Sequence, residues 1–160
     1  MTINIVNLIL SILIATCLVI LQETMSNMFW LISVDMPVSI SNFISTYFAN
    51  IFAMNFSGAI PLVALVAVAF LIAFLVAKIL LNWLDVPKTY AYGIAGALAI
   101  LSLVLLMPLA FYNLDILAGG RSILGKSILT AFGLISGFYF GRTLETVSYT
   151  HLRAHETDSH

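Results

Sequence analysis

Four long stretches of this chain are almost free of charge. Ile3 to Leu21 holds none. Pro61 to Trp83 holds one, Lys78, near its end. Ala91 to Tyr112 holds none. Ile123 to Gly141 holds one, Lys126, in its first turn. An α-helix rises 1.5 Å per residue, so a ~30 Å hydrocarbon layer takes about 20 residues. Each stretch is long enough to cross a bilayer. Backbone groups in lipid must be satisfied internally, and unbroken apolar runs of this length read as helices. The expected fold is all-α: a polytopic membrane protein with four transmembrane helices, forming one domain over residues 1–146.

Composition closes off the alternatives. Hydrophobic residues make up 62% of the chain and charged ones 8%. A soluble domain of this size exposes too much surface to hide that fraction. A soluble enzyme and a disordered chain are excluded. A net charge of −1 leaves no electrostatic footprint for nucleic acid.

The boundaries of the stretches carry further signals. Pro61 suits a first helical turn. Asp85, Pro87 and Lys88 form a short polar break, so the second and third spans read as an antiparallel hairpin. Pro108 kinks the third span or ends it early. Trp83, Tyr90 and Tyr92 at one end of the hairpin, and Tyr112 at the other, read as aromatic belts at headgroup level. The first stretch lacks the basic leader and A-x-A site of a cleaved signal peptide. Ile14 to Cys17 only weakly resembles a lipoprotein cleavage box, with Thr16 a poor fit before the cysteine, so an uncleaved helix is expected. Cys17 is the only cysteine. It allows no internal disulfide and reads as a small packing residue.

Between the first two spans, residues 22–58 hold Glu23 and Asp35 and no Lys or Arg. Ile40, Phe43, Ile44, Tyr47, Phe48, Ile51 and Phe52 follow the i, i+3, i+4, i+7 pattern. Ser41, Asn42, Ser45, Thr46, Ala49, Asn50 and Ala53 fill the other face. An amphipathic helix over about 39–54 is expected, lying in the membrane interface or packed on the spans. Without cations it is no sensor of anionic lipid.

No Lys or Arg precedes Lys78, which places the long linker outside the cytoplasm. Lys78, Lys88 and Arg142 then fall inside, and Arg121 and Lys126 fall outside against the rule. The balance favours both ends of the membrane domain in the cytoplasm of a bacterial inner membrane.

Gly120 to Ser127, GRSILGKS, matches the pattern of a phosphate-binding loop. That loop needs a buried parallel strand before it and a soluble α/β domain around it. Neither is available here, so nucleotide binding is not expected. The simpler reading is a glycine-rich turn at headgroup level. A further reading has Arg121, Lys126 and the helix start hold a lipid headgroup or small anion. Gly133, Gly137 and Gly141 recur every four residues, as do Ala69, Ala73 and Ala77, and Gly93 pairs with Ala97. Small residues at this spacing let membrane helices approach closely, within one bundle or between copies.

Residues 147–160 differ from the rest. VSYTHLRAHETDSH holds all three His and three of the thirteen charges. His151 and His155 stand four apart, and a metal site is the obvious first reading. However, Val147 to Thr157 resembles the conceptual translation of a transposase adapter used in sequencing libraries. The resemblance implies a non-native tail over 147–160 and discounts both His as ligands. The native chain is then expected to continue past Glu145 or Thr146 into other sequence. In outline, residues 1–146 resemble small four-helix membrane proteins of bacteria, a likeness of architecture without a diagnostic motif.

No catalytic set, metal site or cofactor site is expected in the body. Three functions remain open. The first is a structural or accessory membrane protein, acting as a subunit, assembly or membrane-organising factor. Its partners would be the lipid bilayer and a homo-oligomer or larger membrane complex. The second is a small oligomeric channel or transporter, using Asn4, Asn7, Ser11, Thr16, Ser102, Thr130 and Ser136. The third is a membrane enzyme acting on lipids through Asp115, Arg121 and Lys126.

Overall fold

The structure, a computed structural model, describes residues 2–57, 60–110 and 117–157; side chains are described only for residues 4–57, 60–109 and 117–146. Among them every regular element is helical. The elements are α1 (Thr2–Ser33), α2 (Ile40–Phe52), a π-helical turn (Ala53–Ser57), α3 (Leu62–Leu80), α4 (Lys88–Ala110), a 3-10 turn (Ala118–Arg121) and α5 (Ile123–Thr157). Four helices are long and apolar enough to span a membrane: α1, α3, α4 and α5. The protein is an all-α, multi-pass membrane protein.

The spans alternate in direction. Ser11 of α1 meets Ser136 of α5, and Glu23 meets Gly119 just before α5, so α1 and α5 run antiparallel. Gly96 lies on Gly133 and Thr89 on Glu145, so α4 and α5 are antiparallel too. α3 returns toward the start of α4, where Phe74 packs on Tyr92 at 5.2 Å.

α1 is the longest departure from the expected boundaries. The apolar run ends at Leu21, but the helix continues to Ser33. At 32 residues it spans about 48 Å, more than the hydrocarbon layer is thick. Helix formation here follows backbone propensity and packing, neither of which stops at the polar Gln22-Glu23-Thr24 run. The helix then ends in a Schellman arrangement. The Met36 N–H donates to the Leu31 carbonyl at 3.1 Å and the Asp35 N–H to Ile32 at 3.1 Å. Asp35 takes the left-handed position with φ 58°.

α2 begins at the N-cap Ser39, whose hydroxyl accepts the Asn42 N–H at 3.1 Å. The face it lays on the spans is mixed, with Phe43, Thr46, Tyr47, Asn50 and Ile51 partly covered. Ile40, Ile44, Phe48, Phe52 and Phe56 form an exposed apolar row. α2 is thus both packed on the bundle and apolar toward its surroundings. Asn55 then joins this segment to the next span. Its side-chain oxygen accepts the Val63 N–H at 2.9 Å and caps α3.

The core lies where α1, α3, α4 and α5 converge, with Ala15, Val19, Val66, Phe70, Ala99, Ile100 and Leu129 at its centre. Near one end Phe74, Tyr92 and Phe140 form a three-ring cluster with centroids 4.8 to 5.2 Å apart. Tyr92 is therefore a core residue and not part of the aromatic belt. Position 92 faces α3 and α5, while Trp83 and Tyr90 are exposed. Cys17, read as a packing residue, is exposed on α1, because the neighbouring Ala15, Thr16 and Val19 form the inward face.

Candidate functional site

Three of the six buried polar residues described in this apolar bundle gather where α1, α2 and the 3-10 turn meet. Gln22, Glu23 and Thr24 of α1 are all buried. The Glu23 carboxylate accepts the Gly119 N–H at 3.3 Å and the Asn27 side-chain amide at 3.4 Å. Arg121, at the end of the turn, adds a favourable charge within reach of Glu23. The Thr24 hydroxyl donates to the Ile20 carbonyl at 2.9 Å and accepts from Asn50 of α2 at 3.0 Å. One helical turn of α1 thus ties down both the amphipathic helix and the segment entering α5.

Glycine makes the turn possible. A Cβ at Gly119 would sit 3.0 Å from Cγ of Gln22, and one at Gly125 would overlap the Gly119 carbonyl. The turn therefore lies flat on α1 and stacks directly on the first turn of α5. Among the described residues no strand precedes the GRSILGKS loop. Three of its backbone N–H groups are also engaged internally: Gly120 on the Leu117 carbonyl at 2.9 Å, Gly125 on the Ser122 hydroxyl at 2.9 Å, and Lys126 on the Ser122 carbonyl at 3.0 Å. The Ser127 hydroxyl donates to Ile123 at 3.0 Å. A phosphate cradle needs these groups free. Arg121 is exposed and Lys126 half-buried at this end of the bundle. Asp115 lies outside the described residues, as do the side chains of His151 and His155. No cluster of metal-ligating side chains occurs among the described residues.

The small residues divide into two groups. Gly133, Gly137 and Gly141 of α5 face α4 within the one chain. A Cβ at Gly133 would overlap the Gly96 carbonyl, and one at Gly96 the Gly133 carbonyl. At Gly137 it would overlap the Tyr92 carbonyl, and at Gly141 it would sit 2.6 Å from Cα of Thr89. A Cβ at Gly93 would sit 3.1 Å from the Phe138 ring. Ala97 is only half-buried, and Gly96 takes the central place instead. Tyr92, Gly96, Ala99 and Ile100 share one helical face at three- and four-residue steps, a signal that the choice of Gly93 with Ala97 overlooks. By contrast, Ala69, Ala73 and Ala77 of α3 look across at Ala91, Ala95 and Ala99 of α4. Between them lies an open cleft of about 840 Å³ whose one polar lining residue is Ser102.

Glu145 closes the far end of the α4–α5 pair. Its carboxylate accepts the Thr89 N–H at 3.0 Å and the Thr89 hydroxyl at 2.8 Å. An acidic group on the free N–H groups of a helix start satisfies them and complements the helix dipole. Neither this role nor that of Glu23 is visible from residue spacing, because the partners lie 56 and 96 positions away.

The polar residues available for a shared pathway are dispersed. Ser11 donates to the Ser136 carbonyl at 2.7 Å inside the bundle, and Thr16, Thr130 and Ser136 donate to carbonyls of their own helices. Ser102 faces the apolar cleft, and Asn7 lines a separate groove between α1 and α5. No family model, curated protein or solved structure matches this chain.

Proposed function

We propose that this protein is a structural or accessory component of a bacterial inner membrane: a subunit, assembly or membrane-organising factor, with no catalytic role. One observation carries the reading. Among the described residues, the two carboxylates that face other helices, Glu23 and Glu145, both bind the chain's own backbone N–H groups. Membrane transporters place such groups toward a pathway or a substrate; here they fasten one helix to the next. Orientation follows the basic residues. Lys78, Lys88 and Arg142 share one end of the bundle, and the loop carrying α2 holds no basic residue. That distribution favours the first end as cytoplasmic.

The test is solute flux. Purified full-length protein in liposomes should pass ions and small solutes no faster than protein-free vesicles, and should co-purify from native membranes with a stoichiometric membrane partner. Flux saturable in one solute would overturn this in favour of a small oligomeric channel or transporter.

A further inference from the structure

A groove of about 350 Å³ runs between the start of α1 and the last membrane-embedded turns of α5, lined by Asn7, Tyr139, Arg142, Thr143 and Thr146, whose apolar stems and ring form most of its wall. We infer that it binds the headgroup of an anionic, hydroxyl-bearing phospholipid, of which phosphatidylglycerol is the simplest.

Depth is the first argument. The part of α5 from Ile123 to Arg142 spans about 30 Å, so Arg142 reaches the headgroup layer opposite the helix start. Asn7, near the start of α1, comes to the same level. Lys78 and Lys88 lie at this end as well. Of the two carboxylates described at this end, Glu145 is held by Thr89 and Asp85 is in the exposed hairpin loop.

Hydrogen-bonding capacity is the second. Elsewhere in the bundle, the buried hydroxyls of Ser11, Thr16, Thr24 and Ser136 and the Glu23 and Glu145 carboxylates are satisfied within the chain. Here, among the described residues, nothing pairs with the Asn7 amide, the Tyr139 hydroxyl or the Arg142 guanidinium. Three unmatched donors, one of them a cationic fork, belong to residues that line one groove. A fork of this kind suits two phosphate oxygens.

The third argument separates headgroups. Thr143 donates to the Phe140 carbonyl at 2.7 Å and Thr146 to the Arg142 carbonyl at 3.0 Å. The hydroxyl protons point back to the helix, so Thr143 offers oxygen lone pairs to the groove. The site thus pairs donors for a phosphate with acceptors for hydroxyls. A glycerol phosphate carries both, whereas a choline headgroup has no donor.

Native mass spectrometry of the full chain in mild detergent, titrated with phosphatidylglycerol, phosphatidylserine and phosphatidylcholine, tests this. Phosphatidylglycerol should bind at about tenfold lower concentration than phosphatidylcholine, the factor expected of one charged hydrogen-bonded contact. Arg142→Gln should abolish that preference, and Arg142→Lys should retain only part of it. Thr143→Val should narrow the gap between phosphatidylglycerol and phosphatidylserine. Equal binding of phosphatidylglycerol and phosphatidylcholine by the unaltered protein would overturn the inference. So would an undiminished preference in Arg142→Gln, or saturable binding of free glycerol 3-phosphate without lipid.

Discussion

α4 has two neighbours and meets them in opposite ways. Against α5, Gly96 faces Gly133 and Tyr92 faces Gly137 with backbone almost touching backbone. Against α3, alanines face alanines and leave a cleft of about 840 Å³ open along the bilayer-facing side. Both contacts come from small residues four apart, a spacing that does not distinguish them. The difference is one methyl group. Without Cβ, a membrane helix gains dispersion contacts along its whole backbone, which replace the hydrophobic driving force that lipid cannot supply. With Cβ, the helices stand off, and larger residues such as Phe70 and Phe74 set the distance.

The sharpest way to break this contrast is Gly96→Leu. The new side chain meets the Gly133 carbonyl and the Gly137 backbone already at its Cβ. We expect a loss of about 3 kcal/mol or more, at the upper end for overpacking because backbone must move. Reversible unfolding in mixed micelles would measure it. Retained stability would mean that the two helices do not touch as described.

Glu23→Ala comes next. It leaves the Gly119 N–H without an acceptor in a buried position, with an expected loss of about 1–3 kcal/mol. Faster amide hydrogen exchange over residues 117–121, with α3 unchanged, would locate the effect at the start of α5. Glu145→Ala removes the cap at the other end of the same pair. Half-exposed, it is worth about 1 kcal/mol, read as exchange confined to the first turn of α4. Ala73→Leu should do least. It projects into open space, and less than about 1 kcal/mol of either sign is expected. A large loss there would show that the cleft is filled in the membrane.

The four spans were legible because hydrocarbon thickness leaves a direct trace in residue number. The amphipathic segment was legible from its period, and Ser39 and Pro37 mark its start. Less visible was the continuation of α1 past Leu21. The polar run at 22–24 looks like a loop to any hydropathy argument, yet its side chains find partners in Asn50 and Gly119. Tyr92 misled for a related reason: an aromatic near a helix end suits either the interface or the core, and only its azimuth decides.

Residue order alone settled that this chain lives in a bilayer, how often it crosses, and that residues 147–160 stand apart in character. Those conclusions rest on solvation, which acts residue by residue. Tertiary structure decided which small residues touch, where Glu23 and Glu145 find their partners, and which polar groups remain unmatched beside Arg142. Each depends on helix rotation and on contacts between distant positions, and these are set by packing the whole bundle at once.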